Sequence, residues 1–120
     1  MKLNELKNKW NGINVYNNVM EGEMLEDLKS TFNELVRSNG GELLKLDVSF
    51  DLISGYILMN GKFIYFDYRL NEDGKINLDD SSWMNGILVR SLKGMEDRIG
   101  GEANYTNFDG FNSTVNSLSL

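Results

Sequence analysis

LISGYILMNGKFIYFDYRL, residues 52–70, is the stretch on which the fold turns. Asn60-Gly61 separates the apolar runs 56–59 and 62–70, and Asn-Gly between two such runs marks a two-residue hairpin because both residues tolerate positive φ. A turn of that length pairs Met59 with Lys62. The same register sets Leu58 opposite Phe63, Ile57 opposite Ile64 and Tyr56 opposite Tyr65. Both faces of this hairpin then carry apolar or aromatic groups, whereas an antiparallel sheet ordinarily wets one of them. Either helices cover both sides, which is the default expectation, or one aromatic face meets a partner or a second copy of the chain.

Working outward, residues 44–52 alternate. Leu44, Leu46, Val48, Phe50 and Leu52 point one way and Lys45, Asp47, Ser49 and Asp51 the other, as in a half-buried strand that ends at the Ser54-Gly55 interruption. Upstream, Leu25, Leu28, Phe32, Leu35 and Val36 recur at three-and-four spacing and predict an amphipathic helix over 24–38. Acids stand in its first turn, Arg37 in its last, and Gly40-Gly41 can cap it. Leu3, Leu6 and Trp10 predict a short helix that stops at Asn11-Gly12; residues 13–20 read as irregular chain or an edge strand. Downstream, Asn71 to Gly74 reads as a turn into a strand over 75–78. Ser81 or Ser82 can cap a helix over 83–98 with Trp83, Ile87, Leu88, Leu92, Met95 and Ile99 as its apolar positions, although Gly86 and the β-like run that follows it oppose this. The tail, with Tyr105, Phe108 and Phe111 as anchors, is expected to pack as a loop and to become mobile from about residue 110. The expectation is one α+β domain over 1–120, an antiparallel sheet of about four strands packed with about three helices.

Composition narrows the chemistry. The 120 residues include no Cys and no His. That removes thiol and imidazole nucleophiles, the imidazole general base and the usual zinc ligands. No cofactor is expected. No apolar run reaches the ~18 residues of a membrane span, and the first residues are polar and charged instead of forming an apolar signal core, so the reading is cytoplasmic, with no membrane contact. A net charge of −6 disfavours direct binding to nucleic acid and favours a protein partner with a basic surface.

Two sets of residues are candidates for contact. Glu23, Glu26 and Asp27 along the second helix, with Glu72, Asp73, Asp79 and Asp80 around the late turns, would imitate the phosphates of a nucleic acid if the fold gathers them. Tyr56, Tyr65, Asp67 and Arg69 share one strand face and form a candidate ligand site or interface, with Asp67 and Arg69 able to pair. Asp47, Asp51 and Asp67 are the candidate carboxylates for acid and base work, a weaker reading because such groups usually serve as structural ion pairs. Arg90, Lys93 and Arg98, with Arg69 elsewhere, can clamp a phosphate. A calcium loop beginning at Arg69 fails because a cation stands where the first carboxylate is required.

Trp83, Gly86, Leu88, Arg90, Lys93, Gly100, Gly101, Asn104, Tyr105 and Thr106 together resemble segments of small phage and prophage proteins of Gram-positive bacteria. The resemblance covers the last third of the chain, and no activity attaches to the pattern. It implies an accessory protein that blocks or redirects a host protein, a defence nuclease among them, in the host cytosol. The expected function is therefore a small acidic inhibitor or adaptor, able to form a homodimer and without catalysis of its own. The alternative is a protein that binds a phosphorylated metabolite or nucleotide.

Overall fold

In the computed structural model, which describes residues 1–15, 19–70, 74–92 and 102–120, the chain is an α+β fold of three helices and a five-stranded antiparallel sheet. Helices α1 (Leu3–Trp10) and α2 (Gly22–Ser38) precede strands β1 (Glu42–Ser49), β2 (Leu52–Met59), β3 (Lys62–Arg69), β4 (Ile87–Leu92) and β5 (Ala103–Thr106), and α3 (Phe111–Leu118) closes the chain. The strands lie in sequence order, a meander.

The β2–β3 hairpin has the register that its turn dictates, from Met59 opposite Lys62 to Leu52 opposite Arg69. Asn60 and Gly61 both have positive φ, 52° and 75°, as a type I′ turn requires. Ile53, Ile57, Ile64, Phe66, Tyr68, Ile87 and Val89 are buried on one face of the sheet. They pack with Leu28, Phe32 and Val36 of α2 and Phe111 and Val115 of α3. Phe32 is the hinge of this core, with ring centroids 4.7 Å from Phe66, 5.2 Å from Phe108 and 5.5 Å from Phe111. Gly55 makes room for Phe66: a Cβ there would stand 2.7 Å from the Phe66 ring and from the Lys45 carbonyl oxygen.

Several expectations change. The chain turns at Phe50-Asp51, so Ser54-Gly55 lies inside β2, and a bulge at Leu44 puts Leu43 in its place toward the core, beside Leu46 and Val48. Residues 75–78 are not a strand of the sheet. They pair with the segment after α1 through an isolated bridge between Asn14 and Lys75, while Ile76 and Leu78 fill the core. Of the helix expected over 83–98, residues 83–86 form a turn and 87–92 form β4; residues 93–101, where Met95, Ile99 and the Gly100-Gly101 stop fall, lie outside the described residues. Ile87 and Val89 face the helices while Leu88, Arg90 and Leu92 face the other way, so apolar residues on both faces hide the period of two. Gly86 leads into the strand at a point where a Cβ would meet the Ser82 and Thr106 carbonyl oxygens at 2.7 and 3.0 Å. The tail forms α3 instead of a fading loop, because Phe111, Val115 and Leu118 continue a stripe from Phe108 into the core. Among the described residues no helix is long and apolar enough to cross a membrane.

Candidate binding face

The buried core that gathers all three helices lies on one side of the sheet only. The opposite side carries Leu52, Tyr56 and Leu58 from β2, Phe63, Tyr65, Asp67 and Arg69 from β3, and Leu88 and Arg90 from β4. No described helix covers it, and apart from the exposed Arg69 these side chains are half-buried against one another. The default expectation of coverage on both sides is therefore not met by the described elements. At the end of the sheet where β1 turns into β2, large apolar groups stand in solvent: Phe50 is 79% exposed and Trp83, in the loop before β4, 73%. Tyr105 of β5, opposite Leu88, is also exposed.

At the centre of this face Tyr56 and Tyr65 stand opposite each other with ring centroids 5.5 Å apart. The Tyr65 hydroxyl donates to Asp67 Oδ2 at 2.8 Å. Burial pushes the Asp67 carboxyl above the usual aspartate value of 3.8, against the opposing pull of the Tyr65 hydrogen bond and of the Arg69 and Arg90 charges. Burial and the Asp67 carboxylate drive the Tyr65 phenol well above its ordinary range, so it stays a neutral donor. Arg69 pairs with Asp51 in the β1–β2 turn, Nη1 to Oδ1 at 3.2 Å, and not with Asp67 as its position suggests. The cation that joins the tyrosines is Arg90, whose guanidinium carbon lies 5.3 Å from the centre of the Tyr65 ring. Its Nε is buried with no hydrogen-bond partner among the described residues. Sequence reasoning assigned Arg90 to a helix with Lys93 and so missed it here; the β-like run after Gly86 was the signal that would have placed it.

Between these groups and the β1 edge lies an open groove of about 390 Å³, whose walls include Lys45, Asp47, Ser54, Tyr56, Tyr65 and Arg90. Its polar lining suits an anion or an extended polar segment better than a lipid or a purely apolar ligand.

The described acidic candidates sit elsewhere, around α1, and most are engaged locally. Lys9 binds Glu23 and, at 2.8 Å, Asp27, which also accepts the Trp10 indole N–H at 2.8 Å. Lys7 binds Asp109 and, at 2.9 Å, Asp79, which accepts from Asn11 as well. These contacts hold the Asp27 and Asp79 carboxyls below the usual range, Lys9 acting most on the first and Lys7 on the second. Asp80 accepts from the Asn85 amide and the Ser82 N–H, and Glu26 faces Lys29 at 3.6 Å. Helix α1 thus lies between the two described acidic groups and meets each with a lysine. Glu72 and Asp73 lie outside the described residues, as do Lys93 and Arg98. Among the described residues no group of three or more carboxylates is placed to hold a metal ion. No family model, no curated protein and no solved structure matches the chain.

Proposed function

We propose that this chain is a small protein-binding protein, without catalysis of its own, that inhibits or redirects its partner by covering it with the open face of the sheet. The observation that carries this reading is a five-stranded sheet whose second face bears Tyr56, Leu58, Phe63, Tyr65 and Leu88 and is covered by no described helix. Half-buried aromatic groups rimmed by exposed Trp and Tyr are the composition from which binding hot spots are built. The net charge of −6 draws in a partner with a basic surface at long range, while the contact itself rests on the tyrosines. The acidic residues contribute less than mimicry of a nucleic acid requires, because lysines of α1 already meet Glu23, Asp27 and Asp79. The likeness of the last third to phage proteins makes a host protein in the bacterial cytosol, a defence nuclease among them, the target class.

The test is affinity capture from a Gram-positive lysate with three baits. A protein held by the native chain and by Glu26→Lys, and lost from a Tyr56→Ala/Tyr65→Ala variant that keeps its circular dichroism, supports the reading. Capture that ignores the tyrosines and disappears with Glu26→Lys or with added salt returns the contact to the acidic surface. A native bait that retains no protein overturns the reading.

A second reading is favoured by the Nε of Arg90, which has no partner among the described residues and lies beside the groove: a small anionic ligand, such as a phosphorylated metabolite or nucleotide, held by Arg90 and Lys45 among the tyrosines. A melting temperature raised by such a compound in the native chain and unmoved in Arg90→Gln would favour it over a protein partner.

A further inference from the structure

Strand β1 ends the sheet, and its outer side has no partner among the described strands. Ser49 and Leu52 flank the two-residue turn Phe50-Asp51 and so form a hydrogen-bonded pair. By the alternation of an antiparallel ladder, the backbone groups of Asp47 and Lys45 also point into the sheet, and those of Leu46 and Val48 point out of it. Beyond the strand ladders, no backbone hydrogen bond of the described residues reaches Leu46 or Val48.

The side chains of this edge are arranged symmetrically about Leu46. One residue to either side stand opposite charges, Lys45 and Asp47, on the open face of the sheet, 59% and 54% exposed and facing each other at 3.4 Å within the strand, so that a second copy exchanges this exposed pair for two between chains. Two residues to either side stand exposed apolar groups, Leu44 at 37% and Val48 at 38%. Charges on an edge strand ordinarily keep other strands away. A strand that carries one charge of each sign equidistant from its centre does the opposite toward an antiparallel copy of itself. Lys45 then meets Asp47 of the second copy, Asp47 meets its Lys45, and Leu46 meets Leu46 and exchanges both backbone hydrogen bonds. The neighbouring register, centred on Asp47, sets two aspartates against each other.

We propose that β1 is a self-complementary edge through which two copies of the chain pair antiparallel about Leu46, joining their sheets into one of ten strands. The symmetry is the two-fold of an isologous contact. The bulge at Leu44 ends regular pairing there, so the contact is short, smaller than the standard protein interface, and the dimer exchanges with monomer in a concentration-dependent way. Lys45 and Asp47 also line the groove beside Tyr56, so the second copy supplies a lysine and an aspartate to its open side. The pairing uses the edge and not the centre of the face, and it stands whether or not the face binds another protein.

Sedimentation equilibrium of the purified chain up to about 1 mM tests it. The mass is expected to rise with concentration from that of one 13.7 kDa chain toward that of two. Lys45→Asp sets like charges opposite at both ends and weakens association by about tenfold or more. Lys45→Asp combined with Asp47→Lys exchanges the charges and restores it. All three sequences keep the buried core, so circular dichroism should not separate them. A mass that stays at one chain throughout overturns the proposal. So does association that is indifferent to Lys45→Asp, or that the double variant fails to recover.

Discussion

Asp67 is the residue whose chemistry differs most from its position in the sequence. On paper it stands two places from Arg69 on a strand face, the spacing of a surface ion pair; in the fold Arg69 reaches Asp51 and Asp67 accepts the Tyr65 hydroxyl in a half-buried setting. Its folded-state carboxyl titrates above its unfolded value, with burial as the first cause, so the folded state holds this proton more tightly. The sign follows: its contribution to stability is complete below the unfolded value and is lost as pH rises through the folded one. Asp67→Asn keeps an oxygen for the Tyr65 hydroxyl and removes the charge. The variant should therefore melt higher than the native chain near pH 7, with the difference shrinking toward about pH 3, below the ordinary aspartate value. Equal differences at the two pH values, or a larger one in acid, would show that burial of this charge costs nothing.

Among the elements, α3 and β4 carry the two departures from expectation. Residues 111–118 contain Asn, Ser and Thr at most positions that do not touch the core, which lowers helix propensity and reads as loop. Phe111, Val115 and Leu118 nevertheless form the core-facing stripe, and burial against Phe32 and Phe66 outweighs the propensity. Phe111→Ala should cost about 3 kcal/mol or more, read as a lowered urea midpoint with unchanged slope. A cost under about 1 kcal/mol would mean that the tail is only loosely docked, as its composition suggested. In β4 the failure was one of period. Trp83, Ile87, Leu88 and Leu92 satisfy helical spacing, and a strand with apolar residues on both faces shows no alternation to contradict it.

For the molecule as a whole, the meander places β3 at the centre of the sheet, with Ile64, Phe66 and Tyr68 under the helices. Its amides should be the last to exchange with solvent. The amides of Leu46 and Val48 face outward on the β1 edge and should exchange among the fastest of any strand in dilute solution, then slow as concentration brings the second copy onto them. Hydrogen exchange read by mass spectrometry or NMR at two concentrations checks both statements, and a Leu46 amide protected equally at both would contradict the second. The charge distribution also belongs to this scale. A chain of net charge −6 places several of its acids beside the lysines of α1 and leaves its groove beside Arg90 and Lys45.

The sequence by itself determined the local elements: the β2–β3 hairpin with its register, α2 with its Gly40 cap at φ 83°, and the exclusion of thiol and imidazole chemistry. Each depends on residues within a few positions of one another, where turn sterics and periodicity act directly. Tertiary structure alone decided which face of the sheet the helices cover, the strand identity of residues 87–92, the helix at 111–118, and the gathering of Arg90 with Tyr56 and Tyr65. These are settled by which apolar surfaces meet across the chain, and burial over many residues outweighs the few tenths of a kcal/mol by which local propensities differ.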